Sequence, residues 1–212
     1  MISRFLDDFY EILFKPVQGM KKISQEKNIW HGLLVYVIIS VIVSLSTSAY
    51  QLGNLLEQDF AELSVPAEIT EGMLRFIPFI DLLLNLTFGV LFFLAWTAIL
   101  HLVAEIFSGE NRSYRLGAVL GYAQLPYVFM APLSLISRYA PFDLISLASI
   151  IFFFWTLVLK IIGYRETYGF STSRAILCYF LPAAAFLLAI LIFLIMALAF
   201  LMPMLSELMP FQ

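Results

Sequence analysis

Residues 175–205 read AILCYFLPAAAFLLAILIFLIMALAFLMPML, an apolar run without one charged side chain. About 20 such residues cross the hydrocarbon core of a bilayer as a helix. Four more runs of spanning length lie upstream, at 30–50, 77–107, 116–136 and 142–162. The run at 77–107 is longer than a bilayer needs, so it should tilt or protrude. Lipid offers no hydrogen-bond partners to a backbone, so each run is expected to be a helix rather than an open strand. The fold class expected is an all-α integral membrane protein with five transmembrane helices and an N-terminal amphipathic interfacial helix.

Composition agrees with this. Hydrophobic residues make up 62% of the chain and charged residues 13%, with a mean hydropathy of +0.93. A soluble domain carries about a quarter charged residues. The shortfall leaves too little polar surface to cover a water-soluble globule, which excludes that class. A net charge of −3 says little, because placement matters more than the total. Cys178 is the one cysteine, so no disulfide within the chain and no thiol-rich metal site is expected. Asp7, Asp8 and Glu11 interrupt the N-terminal stretch, and no cleaved signal peptide is expected there.

The basic residues orient the bundle. Arg4, Lys15, Lys21, Lys22 and Lys27 precede the first span; Arg112 and Arg115 lie between the second and third. Lys160, Arg165 and Arg174 flank the turn between the fourth and fifth. Only Arg75 and Arg138 fall on the other side, where a loop over 51–76 carries Glu57, Asp59, Glu62, Glu68 and Glu71. The N-terminus is therefore expected in the cytoplasm, and the acidic loop and the C-terminus outside.

Within 1–29, Ile2, Phe5, Leu6, Phe9, Ile12, Leu13, Val17, Met20 and Ile23 recur at helical spacing. Arg4, Asp7, Asp8, Glu11, Lys15, Lys21 and Lys22 fill the opposite face. That pattern describes a helix on the membrane surface, kinked or split at Pro16. Lys15, Lys21 and Lys22 would favour anionic headgroups, making the lipid bilayer a partner.

Two stretches of the chain match. Phe93, Trp96-Thr97, Leu100-His101, Arg115, Ala118, Leu120, Tyr122 and Pro126 align with Phe152, Trp155-Thr156, Leu159-Lys160, Arg174, Ala175, Leu177, Tyr179 and Pro182. The Trp-Thr to Arg spacing is identical, which suggests a parallel repeat of two helical hairpins. Apolar helices resemble one another cheaply, so duplication and coincidence both stay open.

Ionisable groups within spans each need an explanation. Asp81 and Asn85 form a candidate polar pair at the outer end of the second span. His101, Glu105, Arg115, Lys160 and Arg174 form a candidate inner cluster, with Glu105 expected to pair with Lys160 or Arg115. Snorkelling to the interface is the plainer account of these groups. His101 and Glu105 supply half a coordination sphere, and no metal site, catalytic site or cofactor is expected. No Gly-x-Ser-x-Gly elbow, His-Glu-x-x-His motif or phosphate-binding glycine loop occurs. The third span is expected to be a kinked packing helix: Gly117 and Gly121 form a small face that permits close approach, while Pro126 and Pro132 free backbone carbonyls. Gln124 is placed to satisfy one of them, beside Tyr122.

Phe14-Lys-Pro16, Gly121-Tyr122-x-x-x-Pro126 and Tyr168-Gly169-x-Ser171-x-x-Arg174-Ala175, together with the five-span layout, resemble the Yip domain family of Ypt/Rab-interacting membrane proteins. The resemblance covers essentially the whole chain and is closest to compact bacterial members, which implies a bacterial cytoplasmic membrane. In eukaryotic members it implies association with prenylated Rab GTPases. This chain lacks the long cytosolic N-terminal region and the Asp-Leu-x-Gly-Pro element, so Rab-type GTPase binding is not expected.

The leading functional expectation is a non-enzymatic membrane scaffold or adaptor that associates with other membrane proteins such as a transporter or trafficking machinery. Self-association through Gly117 and Gly121 belongs to the same class, and no nucleic-acid partner is expected. The alternative is a lipid-handling or small-solute conduit lined by His101, Glu105, Lys160 and Gln124.

Overall fold

The computed structural model describes the backbone of residues 2–58, 67–108, 112–139 and 143–208, and side chains at 5–47, 76–108, 112–137, 139 and 143–201. The described backbone is almost wholly helical: α1 (Ile2–Phe14), α2 (Pro16–Glu26), α3 (Ile29–Gln58), α4 (Ala67–Leu84), α5 (Val90–Ser108), α6 (Ser113–Tyr122), α7 (Met130–Ile136), α8 (Leu144–Tyr168) and α9 (Thr172–Leu208). A π-helical turn at Asn85–Gly89 joins α4 to α5, and a 3₁₀ stretch at Leu125–Phe129 joins α6 to α7. Five segments are long and apolar enough to span a bilayer: Ile29–Thr47, Phe76–Ser108, Ser113–Ile136, Leu144–Tyr168 and Thr172–Leu201. They fall where the sequence places its five runs.

Sequence accounts for the main breaks. Lys15 leaves helical geometry (φ −133°, ψ 60°) and Pro16 opens α2, where its missing N–H costs nothing. Pro126 has no N–H to offer the Tyr122 carbonyl, so α6 stops there and tighter 3₁₀ bonding takes over. Asp143 caps α8 by accepting from the Ser146 N–H at 3.1 Å. Gly169 closes it in the left-handed region (φ 68°), with the Phe170 N–H returned to the Arg165 carbonyl at 3.1 Å.

Of the stretch 51–76, expected to be a loop, 51–58 and 67–76 are helical. α3 continues to Gln58 and α4 begins at Ala67, while 59–66 lies outside the described residues. No helix breaker occurs between Gly53 and Pro66, so α3 can run on past the length that lipid requires.

α6 is the central post, with α2, α3, α5 and α8 packed around it. Leu116, Ala118 and Val119 on it, and Ala123 at its C-terminal cap, have no exposed surface. Its small face is taken by α3. A Cβ on Gly32 would lie 2.6 Å from the Ala118 Cα, and a Cβ on Gly121 would lie 2.6 Å from the Gly32 Cα. In lipid, close backbone approach of this kind supplies the dispersion energy that the hydrophobic effect supplies in water. Gly117 and Gly121 therefore hold α3 to α6 within one chain, and that face is not open to a second copy.

The N-terminal segment is also divided differently from the sequence expectation. α1 and α2 form a hairpin that packs on α6, α8 and the 3₁₀ stretch, burying Ile12, Leu13, Met20 and Ile23 against the bundle. Leu6, Tyr10, Phe14 and Val17 remain exposed. One apolar face thus serves the protein and a second stripe is left for lipid.

Candidate functional site

Polar side chains gather in three places. At the hairpin end, Asp8 has 2% of its side chain exposed and lies 3.0 Å from the Lys22 ammonium and 2.8 Å from that of Lys27. Lys22 also donates to Glu11 at 3.0 Å. Hydrogen bonds donated to Glu11 and then to Asp8 raise the Lys22 pKa, and the Asp8 contact raises that of Lys27. The Lys27 contact with Asp8 Oδ2 is an ion pair without hydrogen-bond alignment. Lys22 is thereby committed to the fold; of the three lysines assigned to headgroups, only Lys15 and Lys21 are exposed.

The second place is the α5–α8 interface. Tyr164, fully buried, donates to the Leu100 carbonyl at 2.8 Å. His101 Nδ1 meets the Tyr168 hydroxyl at 2.8 Å, and its Nε2 lies 3.6 Å from Glu105. The expected five-residue cluster does not form. Arg115 turns onto Tyr114, and Arg174 donates to the Phe107 carbonyl at 2.7 Å while lying over the rings of Phe107 and Phe170. Glu105 pairs with neither Lys160 nor Arg115. The reason is spacing along α8: Tyr164 stands one turn between Lys160 and Tyr168 and fills the space beside Leu100.

The third place is a pair of cavities inside the spans. The first, of about 460 Å³, is lined by Tyr36, Ser40, Ser44, Thr47, Asp81, Asn85, Gln124 and Tyr127 among others. Here the candidate outer pair is assembled: Asn85 Nδ2 donates to Asp81 Oδ1 at 2.9 Å, and Ser44 donates to Oδ2 at 2.6 Å. Asn85 begins the π-helical turn, the kind of helix distortion that often marks functional positions. The second cavity, of about 350 Å³, is lined by Trp96, Gln124, Tyr127, Thr156, Lys160 and Tyr179 among others. Gln124 and Tyr127 line both.

Gln124 does not satisfy a freed carbonyl, as the sequence had suggested. The backbone does this itself, through Gln124 N–H to Gly121 O at 3.1 Å and Tyr127 N–H to Gln124 O at 3.0 Å. Its side chain makes no hydrogen bond among the described residues and is left for the cavities. Pro132, the other proline of that span, is exposed within α7.

Gly32 and Tyr164 carry no signal in the sequence, and Asp8 and Thr156 read there only as a polar-face residue and a repeat position. Thr156 is the sharpest of these: it is 3% exposed and its hydroxyl has no hydrogen-bond partner. Its matched residue Thr97 donates to the Phe93 carbonyl at 2.7 Å. Leu100 and Leu159 are both fully buried, but their neighbours His101 and Lys160 have different surroundings. Among the described residues no group of three or more His, Cys, Asp or Glu side chains is placed to hold a metal ion.

The Yip1 domain family model matches residues 10–195, most of the chain. The chain belongs to the Yip1 domain family. No curated protein and no solved structure matches it. As a Yip1 domain protein it is a multi-pass membrane protein, and its polar machinery lies at a hairpin clasp, an aromatic-capped helix interface and two intramembrane cavities. That arrangement offers hydrogen-bond donors and acceptors within the spans and an apolar exterior to its surroundings.

Proposed function

We propose that this Yip1 domain protein is a non-enzymatic membrane adaptor, with its N-terminus in the cytoplasm, that associates with another multi-pass membrane protein through α9. The single observation carrying this reading is the packing of α9. Its spanning window is 0% buried, against 22–50% for the other four. α9 touches α5 and α8. Beyond Pro182, side chains from Phe186 to Leu201, including Phe193 and Phe200, stand exposed on every face. Transmembrane helices associate by van der Waals packing, and Ala184, Ala185, Ala189, Ala197 and Ala199 allow a second helix close approach. A photo-crosslinking residue at Leu191 or Leu198, read by mass spectrometry from native membranes, should capture one membrane protein at high yield. Capture of lipid alone would reject the reading.

The conduit reading is favoured by one separate observation: Gln124 and Tyr127 line both cavities, giving polar groups from Asp81 to Lys160. His101 and Glu105 are not among the residues lining either. Reconstituted protein should then pass an anionic solute or lipid, and Lys160→Met should abolish that flux while Glu105→Gln leaves it intact. No flux in the parent would end this reading.

A further inference from the structure

α8 places Thr156 and Lys160 one turn apart on one face, both lining the cavity of about 350 Å³. Among the described residues, Lys160 makes no ion pair and no hydrogen bond. It lies two turns from the end of α8 at Tyr168, a depth of roughly 12 Å along the helix. Neighbouring helices supply no carboxylate to it: the lining from α5, the 3₁₀ stretch and α9 is Trp96, Gln124, Tyr127, Tyr179 and apolar residues. The bare hydroxyl of Thr156 is equally unusual. Thr47, Thr97 and Thr167 each donate to the carbonyl four residues back, at 2.8, 2.7 and 2.7 Å. Thr156 alone of these helical threonines leaves that option unused and stays unpartnered at 3% exposure.

We propose that this cavity is a binding site for an anionic oxyacid group, a phosphate or carboxylate, carried on an apolar tail. Lys160, Thr156 and Gln124, which line this one space, each carry a hydrogen-bond donor. An oxyanion accepts from all three at once, and the charge-assisted bond to Lys160 is the strongest of them. The tail follows from the rim. Phe153 and Phe180 line the cavity and are 54% and 43% exposed on the outer surface of the bundle. A ligand entering there comes from the lipid side, with its head in the cavity and its chain along the aromatic rim. Trp96 and Tyr179 flank the head and exclude water. The site goes beyond the adaptor reading, since its residues lie away from the outer part of α9.

Trp96 makes the site readable by fluorescence. In a Trp30→Phe/Trp155→Phe background it is the sole tryptophan. The protein in neutral-detergent mixed micelles is titrated with phosphatidic acid carrying brominated acyl chains, and in parallel with phosphatidylcholine carrying the same chains. Phosphatidic acid should quench Trp96 at about tenfold lower mole fraction, the factor expected from a charge-assisted hydrogen bond. Lys160→Met should erase the difference, Thr156→Val should reduce it, and Lys160→Arg should keep it. Lys15→Gln/Lys21→Gln should leave it unchanged, separating the cavity from surface attraction. Reversal by inorganic phosphate would show that the head alone is recognised, and no reversal that the lipid is the source. Equal quenching by the two lipids, a preference that survives Lys160→Met, or one lost in the surface variant would each overturn the proposal. Because Leu191 crosslinking reads a different surface, either proposal can fail without the other.

Discussion

Asp8 and Lys27 form a buried ion pair, with the carboxylate 2.8 Å from the ammonium and 2% of the Asp8 side chain exposed. This contact, shared with Lys22, clasps α1 to α2 and the pair to the start of α3. Removing Asp8 takes a charge-assisted partner from Lys27 and leaves Lys22 with Glu11 alone, which costs about 2 kcal/mol. Asp8→Asn is therefore expected to lower the thermal stability of the detergent-solubilised protein clearly. Cys178, 2% exposed, reports unfolding through its reaction with a thiol-specific dye. An unchanged melting curve would show that the clasp contributes nothing.

The same clasp sets a dependence on alkaline pH. Lys22 and Lys27 are both raised above the ordinary 10.5, so their contribution is complete below that value and fades as pH climbs through their folded values. The melting temperature by circular dichroism should fall as pH climbs above about 10.5, more steeply in the parent than in Asp8→Asn. Parallel slopes would contradict the assignment.

Gly121→Leu tests the α3–α6 contact. A side chain there meets the Gly32 backbone, which cannot move aside as a flexible side chain can. Overpacking of this kind costs about 3 kcal/mol or more. The variant is expected to unfold or lose its monodisperse elution peak. A well-folded variant with only a smaller complex size would restore the view that this face joins two copies.

Tyr168→Phe removes the hydroxyl that meets His101 Nδ1 at 2.8 Å. The loss is expected to be about 1 kcal/mol, the net value of one neutral hydrogen bond. The Cys178 melt reads it, and an effect as large as that of Asp8→Asn would assign His101 a greater role.

Much of this architecture is legible in the sequence. Runs such as 175–205 leave a helix in lipid as the only way to satisfy the backbone, and Pro16 and Pro126 mark breaks because they lack an N–H. Contacts four residues apart, Asp81 with Asn85 and His101 with Glu105, are equally legible because helix geometry fixes them. Groups brought together from different helices are not. Gly117 and Gly121 announce a close approach but not that Gly32 answers it. Asp8 reads as solvated until the turn at Lys15 folds it onto Lys22 and Lys27. Lys160 and His101 share a general level, yet Lys160 lines a cavity while His101 meets Tyr168.

Photo-crosslinking from Leu191 reads the contact proposed between α9 and a partner membrane protein. The parent should yield one dominant heterologous membrane protein from native membranes, whereas the same probe at Val119, buried on α6, should yield none. Recovery of lipid adducts alone from Leu191 would contradict the account.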